Sequence, residues 1–549
     1  MASRFLAAAA ALSALTPIAA YAQQGSALPA PVEQQQLRAL DAWSVSALSR
    51  ADGALAPDLW NRSDPASLAV VLDRLPAVYD SPAMLTLARR VLYSGGDAPR
   101  GDAALAGRKR FEALGKMGAA DQLATMASGA GAAAQSDLGI AMFAAQAELA
   151  RGRRAEACAR GRSADGGATP PPFLLRLRAY CAAVTGDRAA ADLALEVART
   201  QNAADAWYTA AIAAAGGAPP ARPPAARYDN SLSAQLSIAG NLRPAANAFN
   251  DSSTLALVAV ARNEHAPQPQ RPQAAVLAFR RGALSAADTR TILQATPAEV
   301  TTGLPPIVVA LRQVAAAPGT MPAATAIAGV LRAATASPAD FTAAARLFHD
   351  DIVSAPAAPD AAGAVLFARA AIASGDANAG QRLTASARQA GADEAALAPL
   401  DAALAALVGV RNDQGGLAVQ RRVDNAGRNT ASASRDVAIL AALGAPVEGG
   451  AQTFMLANPP QGGARADAGA MLALASAVER GAVGEGALLA VVAAGQAGPA
   501  RLDTESVERI IRALRGLGLE TDARRVAAEA ILAGAPVPPA APAAPAPRR

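Results

Sequence analysis

Three glycines stand at equal steps in the first half of the chain. Gly118, Gly152 and Gly186 are separated by 34 and 34 residues. Each ends one apolar stretch and opens another: FEALGKMG before AADQLATMA, AQAELARG before RRAEACA, AYCAAVTG before DRAAADLALEVA. Glycine enters the left-handed conformation that stops a helix, because it has no Cβ to clash. Stops at a fixed step predict a repeated helix–turn–helix unit. A second series follows near the C-terminus, where Gly444, Gly481 and Gly518 are separated by 37 and 37 residues. There Val507, Ile510, Leu514 and Leu517 step by three, four and three, which is one helical face. Between the two series, LFARAAIASGDANAGQRLTASARQ forms an isolated unit whose Gly375-Asp376 echoes Gly186-Asp187.

Alanine dominates the chain, and aromatic residues make up only 3% of it. Alanine is the best helix former because it loses no side-chain freedom. The expected fold is therefore all-α. Alanine faces bury little area per contact, at about 25 cal/mol per Å². Many shallow interfaces in a row suit an α-solenoid of helical hairpins with Pro-rich breaks.

Tyr180, Gly186, Asp187 and Ala191, with the 34-residue step, resemble the tetratricopeptide (TPR) family over about residues 103–199. The family's Trp and Leu-Gly positions are mostly replaced, so the match is TPR-like. The resemblance implies a right-handed superhelix with a concave, partner-binding face, and no chemistry.

The first 22 residues, MASRFLAAAAALSALTPIAAYA, have one Arg, a short apolar centre and a small-residue end. That pattern predicts a secretory signal peptide and a mature chain starting at Gln23 in the periplasm. Cys158 and Cys181 are the only cysteines. In an oxidising compartment they are expected to form one disulfide between neighbouring antiparallel helices. Leu174, Leu177, Cys181 and Val184 share a face of the second helix.

The rest divides at proline. Residues 23–216 read as the N-terminal TPR-like repeats, and 217–272 as a Pro-rich connector with short helices, in which APPARPPAARY and the prolines after Ala266 bracket a helical piece near Leu232 to Arg262. Residues 273–437 form a middle helical region, with a turn at Pro305-Pro306, and 438–534 the C-terminal hairpins. The Ala/Pro tail, 535–549, is expected to be disordered.

Chemistry is harder to find. His349 precedes Asp350 and Asp351, and His265 lies in a loop. A metal needs three or four converging ligands, so neither is assigned one. There is no G-x-S-x-G, and GAVGEG at Gly481–Gly486 lacks the Lys and Ser/Thr of a phosphate loop. Arg100-Gly101-Asp102 reads as a loop tripeptide without a role. Threonines do not recur at the step of an ice-binding face. Trp43, Trp60 and Trp207 read as core anchors. No catalytic, cofactor or metal residue is assigned.

The formal charge is +5, or +4 without the Arg4 of the leader, too small on so long a chain to argue for nucleic acid. Later apolar runs are too short to span a bilayer. The expectation is a non-enzymatic periplasmic scaffold binding envelope proteins, close to the cell wall, through the concave face of Gly118 to Arg199. The alternative is a peptidoglycan hydrolase or its accessory, with a carboxylate pair the sequence does not reveal. A spacer whose tail reaches toward the wall is the third reading.

Overall fold

The computed structural model describes residues 41–163, 170–410 and 413–536. The leader and residues 537–549 of the Ala/Pro tail lie outside the described residues. All regular structure described is helical, apart from one isolated bridge between Ala464 and Leu502.

The hairpins turn the way their glycines dictate. Gly118, Gly152, Gly186, Gly375, Gly444, Gly481 and Gly518 all have φ between +65° and +99°. At each one the glycine N–H bonds back three residues, and the next N–H bonds back five. This is the Schellman closure, which satisfies carbonyls the helix end leaves free. At two of these turns the first residue beyond the glycine caps the next helix with its side chain. Asp187 accepts from the Ala190 N–H and Asp376 from the Ala379 N–H. Proline takes the opposite end: Pro65, Pro82, Pro172, Pro306 and Pro338 are first residues of helices.

The prolines after Ala266 lead straight into a helix, Gln270–Arg280, with Pro272 in its first turn. There a missing N–H costs nothing. Between Leu232 and Arg262 the helical piece consists of two short helices, Ser231–Ala239 and Thr254–Arg262.

Those two helices decide how the first array packs. Thr254–Arg262 reads TLALVAVAR, and Thr254 to Ala261 are all buried. A helix apolar on every side must be surrounded. It lies against Ala104–Lys116 and Leu138–Ala150, while Ser231–Ala239 lies against Leu138–Ala150 and Pro172–Val184. Leu232, Leu236 and Leu257 join Ala145, Leu149, Leu177 and Tyr180 in one core. One face of the first array is therefore covered by the chain's own connector.

A second core joins the two ends. Residues 43–147 and 364–532 contribute to it together. Helix Pro82–Tyr93 packs on Val483–Ala494 and on Glu520–Gly534. Polar contacts follow the same seam. Glu485 is 2% exposed and accepts from the Asp64 N–H at 3.0 Å and the Ser67 hydroxyl at 2.9 Å. The Gly484 N–H donates to Leu59 O at 2.9 Å, and the Asp80 N–H to Gln496 O at 2.9 Å. Arg90 pairs with the buried Asp522. The first and last helices among the described residues thus share one packed seam.

Trp60 anchors this seam. It is fully buried and lies edge-on to Trp43, with ring centroids 5.1 Å apart. Arg110, also fully buried, reaches over the Trp60 ring at 5.8 Å. Its guanidinium donates to the carbonyls of Ala42, Trp43, Val45, Leu92 and Ser94. Burial pulls it down to about 9, which still leaves it cationic at neutral pH. Five carbonyl oxygens stand in for the missing carboxylate, and they pin the 42–45 strip to the end of helix Pro82–Tyr93.

Cys158 and Cys181 form a disulfide between helices Arg154–Ser163 and Pro172–Val184, with Cα atoms 6.0 Å apart. Closing that loop is worth roughly 3 kcal/mol by the chain-entropy relation. Reduction is expected to raise hydrogen exchange in 154–200 while exchange at the 59–90 seam stays unchanged. Equal loosening of the seam would contradict that local role.

Candidate functional site

The parts of the chain that sequence alone brought forward do not converge. His265 is exposed, and its own N–H bonds Asn263. His349 opens helix His349–Ser354, with Nδ1 3.2 Å from Asp350 and Nε2 3.1 Å from Asp376. It ties two helix starts together. Among the described residues no group of three His, Cys, Asp or Glu is placed to hold a metal ion. Trp207 stacks edge-on with Tyr208, lies under Arg227, and donates to Ala225 O at 2.7 Å. In GAVGEG, Gly481 is a helix cap and Gly484 lets a helix meet Trp60. Arg100 of the RGD tripeptide borders an open hollow with Arg62 and Asp58.

A cavity of about 500 Å³ does exist, at the junction of three regions. Helix Pro82–Tyr93 supplies one wall, Pro338–Leu347 with Ala361–Ala373 another, and Glu520–Gly534 a third. Gly375 is the one repeat glycine at its edge. Phe341, Ile372, Leu407 and Leu532 give it an apolar side, and Arg346, Arg369, Arg501 and Arg525 a cationic one.

Arg369 is the most buried of the four arginines, at 6% exposed. Its Nη2 donates to Leu532 O at 2.8 Å, and its guanidinium lies 5.1 Å from the Phe341 ring centroid. Burial lowers it to about 10, so it stays charged at neutral pH. Glu529 is the only carboxyl residue in the lining. It does not pair with the arginines. Its Oε2 accepts from the Ala83 N–H at 2.7 Å, at the N-terminus of helix Pro82–Tyr93. Burial pushes it up to about 7, against the lowering effect of the Ser81 hydroxyl and the Ala83 N–H.

That shift has a sign in stability. The folded chain holds the Glu529 proton more tightly than the unfolded chain does. The contribution is full below the ordinary glutamate value and is lost as pH rises through about 7. Glu529→Gln is expected to flatten the stability curve between about pH 4.5 and 7, read by urea unfolding at each pH. An unchanged slope would remove Glu529 from that role.

The sequence did carry one signal for this site. Arg369 interrupts AVLFARAAIA, in a helix buried from Gly363 to Ile372. A lone charge inside an otherwise apolar, fully buried helix needs a reason.

No protein family, curated protein or solved structure matches this chain. The site therefore has to be read from its own geometry.

Proposed function

We propose that this chain is a non-enzymatic, TPR-like helical-repeat binding protein that works in the periplasm, and that its binding site is the junction cavity. The leader-like first 22 residues and the single disulfide support an address outside the cytoplasm. No helix among the described residues is long and apolar enough to cross a membrane. The observation that carries the reading is Arg369: a guanidinium is held almost wholly buried beside a cavity of ligand size, with no carboxylate partner. Native mass spectrometry of protein taken from its exported fraction tests it. Wild type is expected to retain a small molecule that Ala533→Trp, at an exposed position on the cavity wall, excludes. Retention by both proteins, or by neither, overturns the assignment.

A second reading keeps an envelope protein as partner, but on the outside of the array. Leu193 and Val197 lie one turn apart on helix Arg188–Thr200, at 69% and 39% exposed. Pull-down from a periplasmic extract should recover a partner with wild type and lose it with Leu193→Asp/Val197→Asp. Equal recovery by both rules this face out.

A further inference from the structure

Arginines in this chain are commonly answered by a carboxylate, as in Arg74–Asp467, Arg262–Asp121 and Arg290–Asp351. At the junction cavity that pattern stops. Arg346, Arg501 and Arg525 line it, and none of them makes a side-chain hydrogen bond or ion pair among the described residues. Arg369 Nε and Nη1 are buried with no hydrogen-bond partner. Glu529, the one carboxyl residue present, turns an oxygen to the Ala83 N–H instead.

Holding Arg369 buried without counter-charge is costly, because a buried guanidinium loses its hydration, and the exposed Arg346, Arg501 and Arg525 add like charge to the same space. Arg346 is pushed below its ordinary value by burial first and second by Arg89, a further cation that lies outside the lining. An anion in the cavity offsets both costs. Guanidinium also favours flat, two-oxygen acceptors.

We infer that the cavity takes a small organic molecule bearing at least two oxyanion charges, phosphate or carboxylate, and an apolar part. The charges meet Arg346, Arg501 and Arg525 in the field of Arg369. The apolar part lies along Phe341, Ile372, Leu407 and Leu532. The volume, about 500 Å³, is in the range of small-molecule sites and admits a ring with its charged groups. This inference rests on the cavity being a binding site at all.

Calorimetric titration of the full-length mature chain tests it with three probes: phenyl phosphate, phthalate and benzyl alcohol. At least one of the two anions is expected to bind about tenfold or more tightly than the neutral alcohol. The stronger anion assigns phosphate or carboxylate. Arg501→Gln/Arg525→Gln should weaken that anion by about a hundredfold, as two charge-assisted contacts are lost. Both residues are exposed, so the melting temperature should hold. Arg512→Gln, on a distant exposed arginine paired with Glu508, should leave binding unchanged. Anions that bind no better than the alcohol, or that weaken equally in Arg512→Gln, overturn the inference. A retained neutral molecule that Ala533→Trp excludes would overturn it too, while leaving the cavity as a binding site. No retained molecule in either protein would end the cavity reading itself.

Discussion

Gly484→Ala is expected to loosen both ends of the chain at once. A Cβ at Gly484 would lie 2.5 Å from a Trp60 ring carbon and 3.0 Å from Leu59 O. Neither neighbour can give way easily. Trp60 is fully buried and held between Trp43 and Arg110, and Leu59 O accepts the Gly484 N–H. Forcing one carbon into such a contact costs about 3 kcal/mol. In a linear repeat array the damage would stay with neighbours along the chain. Here residues 59–93 and 467–534 share a core, so both should lose protection together in hydrogen exchange. Helix Thr254–Arg262, in the other core, should keep its protection. Gly329→Ala is the matched control. It sits in helix Met321–Ala334 with open space around it, and alanine there should stabilise by about 0.5–1 kcal/mol. Protection lost only near residue 484 would mean that the ends do not act as one body.

The hairpins were legible because their signal is local. A glycine between two apolar stretches, followed by a capping side chain as at Gly186-Asp187, contains all the chemistry a Schellman turn needs. The same closure at Asn202 and Asn241, with φ of 52° and 50°, escaped the glycine count. Asparagine also tolerates the left-handed region, so a search for one residue type undercounts the turns. Gly217, Gly282 and Gly391 close helices in the same way but break the equal spacing, and for that reason they carried no repeat signal.

What local signals could not say is which helix covers which. TLALVAVAR at Thr254–Arg262 is apolar on every side, and that much foretells a surrounded helix. That its neighbours would be helices Ala104–Lys116 and Leu138–Ala150 of the first array depends on a fold-back over more than a hundred residues. The seam is similar. Glu485 and Glu529 sit in apolar runs, GEGALLAVV and VAAEAILA, yet their partners Asp64 and Ala83 come from the opposite end of the sequence. The cavity arginines come from four separate segments, none unusual in charge alone. Only the closed arrangement shows that they face one space and that no carboxylate there neutralises them.

Asp436→Ala should be the most damaging single truncation of a polar side chain in the C-terminal half. Asp436 is 0% exposed and Arg422 2%, and Nε meets Oδ2 at 2.7 Å. Removing the carboxylate leaves a guanidinium buried with no counter-charge, which typically costs 3–5 kcal/mol, or about half of an ordinary domain's whole stability. Replacing both partners is a different experiment. Arg422→Met/Asp436→Leu leaves no charge to strand and should recover most of the loss, because the pair's attraction only roughly repays its desolvation. The pH dependence follows the same physics. Burial outweighs Arg422 and pushes Asp436 up to about 6, so the folded chain holds that proton more tightly than the unfolded one. Its stabilising contribution is therefore complete below the ordinary aspartate value and fades as pH climbs through about 6. This window, from about 3.8 to 6, overlaps that of Glu529, from about 4.5 to 7, so stability should fall continuously from pH 4 to 7 and level off above it. The double variant should keep only the fall that ends near 7, and Glu529→Gln only the one that ends near 6. If Asp436→Ala unfolds at the same denaturant concentration as wild type, the pair carries no such weight and the C-terminal core is held by its apolar contacts alone.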